Sequence, residues 1–373
     1  MSIKLKHNYL FKILAIQLVM KNTFIHFIAH EWLFLLSLCG LIVTSSYLHA
    51  FPLFSEADLV PIFLLYALFV VIKGLENSHL LLHVSNFLEK SRFLPQKLLF
   101  LSFLLSMLVS IDVALMTLLP IVLALKIEQR DKLVILVALT SHIGASLTPF
   151  GTPQNLFIYS YYSLNAYEFI KTIAPFSFAM LALFFIVSLF IKITSNRKEE
   201  ELLENINKPL SYIYLTLFLT VVLVILHILP LHLLPWILLF IFFFDIKSFK
   251  VDYLLLFTFI IFIGLTANIK QMLGTTIEHP THIFILSSFL SQFISNVPTT
   301  LMLNKFTLQW EALLWGTNVG GFGSIIAAMA NLITYKIYIS HNDSKNTKSF
   351  ILQFTAYGYA AFIVGYILYF LIM

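Results

Sequence analysis

Apolar runs of about 20 residues recur along the chain, each long enough to cross a hydrocarbon core of about 30 Å. They predict crossings over 31–50, 59–75, 167–192, 211–229, 231–246, 250–268 and 350–372; the 231–246 run is short and holds Pro235. Four other apolar pieces are interrupted. Residues 95–125 bend at Ser110-Ile111-Asp112-Val113, and 281–304 bend at Ser295-Asn296-Val297-Pro298. Residues 131–160 break between Gly144 and Asn155, reading Gly-Ala-Ser-Leu-Thr-Pro-Phe-Gly-Thr-Pro-Gln-Asn. Residues 308–338 break between Gly316 and Ser324 and resume at Ala327. Backbone left unpaired against lipid costs several kcal/mol per group, so such breaks belong inside protein or along a wet cavity.

The polar stretches divide the chain. Residues 1–30 carry four lysines among Leu, Ile and Phe and read as an interfacial amphipathic helix; the alternative is a poor first crossing. Residues 76–93 and 269–279 read as further interfacial helices. The charged segment 194–210 reads as a cytoplasmic linker between a first repeat, 31–193, and a second, 211–373.

Charge then orients the spans. Lys90, Arg92 and Lys97 precede the 95–125 piece, and Lys126, Arg130 and Lys132 follow it. Positive charge on both flanks puts both ends in the cytoplasm, so the piece enters and returns as a re-entrant hairpin. Two short ordinary crossings would place one charged flank outside. The 281–304 piece has few positive flanks and reads as a hairpin entering from outside. With the N-terminus cytoplasmic and the C-terminus outside, only Lys171, Lys270 and Lys305 remain as outer basic residues. Five crossings separate the hairpins, and an odd number makes them enter from opposite faces. That count depends on 231–246. The expected fold class is an all-α polytopic membrane protein of two inverted-topology repeats, each with a re-entrant helical hairpin and a discontinuous transmembrane helix.

Composition agrees with this picture. Of 373 residues, 60% are hydrophobic and 11% charged, too little polar surface for a sizeable soluble domain. The net charge of +5 is accounted for by cytoplasmic loops, so the expected partner is the bilayer and not nucleic acid. Cys39 is the only cysteine, which excludes an internal disulfide and a thiolate metal site. The N-terminus does not read as a cleaved signal peptide, because Lys12 and Lys21 interrupt its apolar stretch.

Half-helix N-termini at tips and breaks offer free N–H groups to an anion, while unwound carbonyls and Ser, Thr and Asn oxygens suit Na⁺. Asp112 is the one carboxylate placed deep in the membrane, where such groups mark ion or proton paths; the alternative is a helix cap. His142, just before the first break, either titrates or hydrogen-bonds backbone, the second being the more ordinary role. His79 and His83 share a helical face without a third or fourth metal ligand, and His227, His232, His279 and His282 lie near span ends. No P-loop, nucleophile elbow, metalloprotease helix or paired catalytic carboxylates appear. The chain therefore reads as a non-enzyme without catalytic residues or organic cofactor, driven by an ion gradient or a partner.

At these motifs the chain resembles the ion-transporter superfamily, which holds divalent-anion:sodium symporters, citrate transporters, arsenite-efflux permeases and certain sodium–proton antiporters. The resemblance rests on Ser295-Asn296-Val297-Pro298, on Gly316 to Gly321, on Gly144 to Asn155, and on Asp112-Val113-Ala114-Leu115, which is similar to the tip of the arsenite-permease branch. It covers nearly all of 31–373. It implies a scaffold, a mobile transport region with elevator-type movement, and a homodimer. It implies substrate roles for Ser110, Thr148, Gly151, Thr152, Asn155, Ser295, Asn296, Thr299 and Thr317. It implies cation or proton coupling roles for Asp112, Gly144, Asn296, Asn318, Gly320 and Ser324. Ile111 stands where the family usually has Asn, and His142 where a small or amide residue is usual, which points toward a proton on Asp112. The expected function is a secondary active transporter of the bacterial inner membrane, moving a small anion such as a dicarboxylate or oxyanion coupled to Na⁺ or H⁺. The alternatives are a Na⁺/H⁺ antiporter using Asp112 and a non-transporting membrane sensor or partner.

Overall fold

The computed structural model describes residues 31–78, 93–125, 127, 129–191, 208–341 and 346–373. The amphipathic segment expected over 1–30, nearly all of the one over 76–93 with His79 and His83, and most of the 194–210 linker lie outside these residues. Among the described residues the chain is helical and has no strand. In order, the helices are α1 (Trp32–Leu48), α2 (Glu56–Asn77), α3 (Leu94–Leu108), α4 (Ile111–Ala124), α5 (Arg130–Ser146), α6 (Pro153–Tyr161), α7 (Ala166–Ser188), α8 (Lys208–Ile225), α9 (Leu233–Phe244), α10 (Tyr253–Leu273), α11 (Pro280–Ile294), α12 (Asn296–Leu303), α13 (Trp310–Gly320), α14 (Met329–Ser340) and α15 (Thr347–Ile372). Five of them (α2, α7, α8, α10 and α15) are long and apolar enough to cross a membrane. This is an all-α polytopic membrane protein.

Both interrupted pieces expected to be hairpins are helical hairpins, α3–α4 and α11–α12. Ser110 caps α4 by accepting from the Val113 N–H, and Ser295 turns the second tip at φ +73°, strained for a residue with a Cβ. Both discontinuous helices are broken where Gly and Pro predict it, into α5–α6 and α13–α14.

Two expectations need correction. Residues 269–279 form no interfacial helix: α10 continues to Leu273, Gly274 ends it in the left-handed conformation at φ +63°, and 274–279 run without helix to Pro280. The 231–246 crossing is only the twelve residues of α9, a rise of about 18 Å. A 3-10 turn, Ile246–Phe249, extends it. α9 nevertheless runs back along α8. The chain beyond α8 sits at Tyr159, on which His227 stacks, and beyond α9 the Asp245 carboxylate accepts from the Tyr214 hydroxyl near the start of α8.

The discontinuous segments run in opposite directions between the hairpin bases. α5 starts at the base of the first hairpin, where the Arg130 guanidinium donates to the Leu123 carbonyl. α6 ends at the base of the second, where the Tyr162 hydroxyl lies 3.0 Å from the carbonyls of both Asn304 and Thr307. α13 starts beside that second base and α14 returns to the first, its Tyr338 hydroxyl donating to Asp131 at the start of α5. Of the remaining helices, α7 and α15 pack against α5 and α13, and α1, α2, α8, α9 and α10 pack on one another. Tyr214 fills the space above Gly74, and Asn268 of α10 donates to Thr44 and Ser45 of α1.

Candidate functional site

The two breaks are built alike. The Asn155 amide nitrogen reaches back to the carbonyls of Ala145, Ser146 and Thr148, and the Asn331 amide to those of Gly321 and Ser324. Shifting the first set by 176 residues, the separation of His142 and Asn318, carries Ala145, Thr148 and Asn155 onto Gly321, Ser324 and Asn331. Each break therefore has its freed carbonyls satisfied by one asparagine at the same spacing, as buried backbone requires. The hairpins dock alike too. The N–H following each tip serine donates to the break: Ile111 to the Gly151 carbonyl at 3.1 Å, Asn296 to the Ala327 carbonyl at 3.0 Å. A Cβ at Gly144 would fall 2.2 Å from the Phe103 carbonyl oxygen and 2.4 Å from Ser106 Oγ; one at Gly320 would fall 2.7 Å from Ser291 and 2.9 Å from the Ser288 carbonyl. Gly144 and Gly320 are thus where each broken helix meets its hairpin at backbone contact.

The repeats join at His142 and Asn318. His142 Nε2 lies 3.0 Å from the Asn318 carbonyl. A carbonyl only accepts, so a neutral ring carries its hydrogen on Nε2 and presents Nδ1 as an acceptor. The Asn318 amide nitrogen donates to Asn155 Oδ1 and to the Leu314 carbonyl, both at 2.9 Å, which fixes its orientation. One hydrogen-bonded path therefore links His142, Asn318 and Asn155 to the first break. Two acceptors, His142 Nδ1 and Asn318 Oδ1, stay buried without a partner among the described residues, each at a cost of about 1–3 kcal/mol until a donor or cation meets it. The Asn296 amide approaches from the second hairpin: a Cβ at Gly321 would meet both the His142 ring and Asn296 Nδ2.

The expected residues play different parts. Ser110, Gly151 and Thr148 hold the first tip against the first break, the Thr148 hydroxyl donating to the Met107 carbonyl. Thr152 caps α6 by accepting from the Asn155 N–H. Asn155, Asn296 and Asn318 converge on the junction. Thr299 and Thr317 spend their hydroxyls on carbonyls of Ser295 and Leu313 one turn back, so neither hydroxyl hydrogen points into the site. Ser324 presents its carbonyl to Asn331 and its N–H to Gln292 Oε1. Asp112 is half-buried in the first turn of α4 and makes no hydrogen bond or ion pair among the described residues. The tip amides expected to be free for an anion are in part occupied, since those of Ile111 and Asn296 go to the breaks. The first turn of α14 has no side-chain cap, in contrast to α6.

Gln292 was not foreseen. Its amide donates to the Gly320 and Phe322 carbonyls at 2.7 and 2.9 Å, tying the second hairpin to the second break. A primary amide in the membrane-embedded hairpin arm, three residues before Ser295, was the available signal.

A profile of the family described as "Citrate transporter" matches residues 84–317. The chain is 30% identical over 318 residues to "Uncharacterized transporter MJ0456" of Methanocaldococcus jannaschii, covering 82% of this chain and 88% of that one. It is 29% identical over 285 residues to "Inner membrane protein YbiR" of Escherichia coli K12, covering 71% and 74%.

Proposed function

Since the chain belongs to the citrate-transporter family, we propose that this membrane transporter is a secondary active one, moving a small anion such as a dicarboxylate or oxyanion with Na⁺ or H⁺ by an elevator-type mechanism. The observation that carries the reading is the junction of two like-built breaks, closed by His142, Asn318 and Asn155, with both hairpin tips bonded to it. The opposite running of α5–α6 and α13–α14 between the hairpin bases supports entry of the hairpins from opposite faces, the arrangement of inverted repeats. The α9 return along α8 supports the odd number of passes that this needs.

In this proposal the unpaired oxygen of Asn318 and the carboxylate of Asp112 attract the coupling cation. Ser110, Ser295 and Asn296 meet the substrate at the tips, and the uncapped N-terminus of α14 offers it N–H groups and partial positive charge. The bound cation offsets the substrate's charge, because the buried polar side chains include no Lys or Arg among the described residues. A second reading, cation–proton antiport, is favoured by Asp112 standing without a cationic partner among the described residues. Purified protein in proteoliposomes separates them. Na⁺-stimulated uptake of one of labelled citrate, succinate, phosphate, sulfate or arsenite supports the first. A Na⁺-driven pH change without any anion supports the second. Absence of flux under every gradient contradicts both and leaves a sensor or partner role.

A further inference from the structure

Outside the central junction, an ionic contact joins α2 to the turn at the base of the second hairpin. Lys305 Nζ lies 2.7 Å from Asp58 Oδ2, with the aspartate side chain 1% and the lysine 13% exposed. Asp58 sits in the first turn of α2, and the same oxygen accepts from the N–H and hydroxyl of Ser55. Lys305 sits in the short turn Asn304–Phe306 at the base of the second hairpin. That turn is held on its other side by the neutral contacts from Tyr162 at the end of α6. Asp58 Oδ1 and both amide atoms of Asn304 are buried beside it and unpaired among the described residues. Burying an ion pair is a poor way to gain stability, since desolvation offsets the attraction, and a role in fixing one arrangement of two is the better attested use. Polar atoms left unpaired there weigh against keeping the interface closed, because opening hydrates them. Attraction and penalty together describe a contact built to part.

We propose that Asp58–Lys305 is a latch between the α2 side and the second hairpin, which holds the transporter in the arrangement seen here and parts when the hairpins and broken helices move. This rests on the elevator reading above. The test uses Cys39→Ser protein in nanodiscs, spin-labelled at cysteines replacing exposed Ile246 on the scaffold side and exposed Tyr167 at the start of α7. Double electron–electron resonance of this parent is expected to give one dominant distance. The charge-neutral pair Asp58→Asn/Lys305→Met, which leaves no lone buried charge, is expected to add a second population displaced by more than the ~5 Å of one helical turn. Lys305→Arg, which keeps the pair, is expected to restore the single distance. An unchanged distribution in the neutral pair overturns the latch, and so does a second population in Lys305→Arg equal to that in the neutral pair. The readout needs no transported substrate. Failure of flux in the unsubstituted protein would therefore remove the transport reading without deciding the latch.

Discussion

Replacing Asn155 by alanine is the perturbation that most cleanly separates the junction from a mere helix break. The side chain is fully buried and its nitrogen satisfies carbonyls of Ala145, Ser146 and Thr148. Asn331 does the same for Gly321 and Ser324 in the other repeat. Losing either asparagine orphans break carbonyls at about 1–3 kcal/mol for a buried group. Only Asn155 also accepts from across the repeats, at 2.9 Å from Asn318. Asn155→Ala should therefore cost about 1–3 kcal/mol more than Asn331→Ala, because it strands an Asn318 N–H as well. The assay is equilibrium denaturation in detergent micelles for Asn155→Ala, Asn331→Ala, Asn318→Ala and the Asn155/Asn318 double variant. A double-mutant cycle should give a coupling of about 1–2 kcal/mol for 155 and 318. Equal losses at 155 and 331, together with a coupling within about 0.5 kcal/mol of zero, would refute the cross-repeat role.

Three further outcomes are expected. Asp112→Asn should abolish ion-coupled flux in proteoliposomes while the protein inserts and purifies normally; full coupled flux in that variant would remove Asp112 from the mechanism. Gly144→Ala should destabilise by at least the ~1–3 kcal/mol of an overpacked core, because the added methyl meets the Phe103 backbone. Gly320→Ala should cost less, since its nearest contact is the Ser291 side chain, and thermal melts of the two variants check the order. His142→Phe keeps a ring against Phe322, at 4.8 Å between ring centres in the native protein, but removes the donor to the Asn318 carbonyl. It should cost about 1–3 kcal/mol in the same denaturation assay, and a neutral result would show that bond to be unimportant.

Much of this architecture was legible because the chemistry that interrupts a membrane helix is conspicuous against apolar sequence. Ser110-Ile111-Asp112, Ser295-Asn296-Val297-Pro298 and the Gly-rich breaks stand out against mainly apolar surroundings, and all four became tips or breaks. Segment 269–279 was misread because its polar residues suggested an interface, whereas Gly274 alone decides where α10 stops. Which hydroxyls face the site was hidden, since Thr299 and Thr317 bond their own helices, a matter of rotamer and not of composition. The Asp58–Lys305 pair joins residues 247 positions apart, and nothing local in either neighbourhood signals it. His142 and Asn318 hold equivalent positions relative to the two breaks, yet their meeting becomes visible only in the folded chain.

Sided labelling of the hairpin bases bears most directly on the central claim. In Cys39→Ser protein, single cysteines replace exposed Phe93 at the base of the first hairpin and exposed Leu308 at the base of the second. Sealed right-side-out vesicles are treated with a membrane-impermeant maleimide before and after permeabilisation. The account predicts that the Leu308 site reacts in intact vesicles and the Phe93 site only after permeabilisation. Reaction of both from the same side would contradict it.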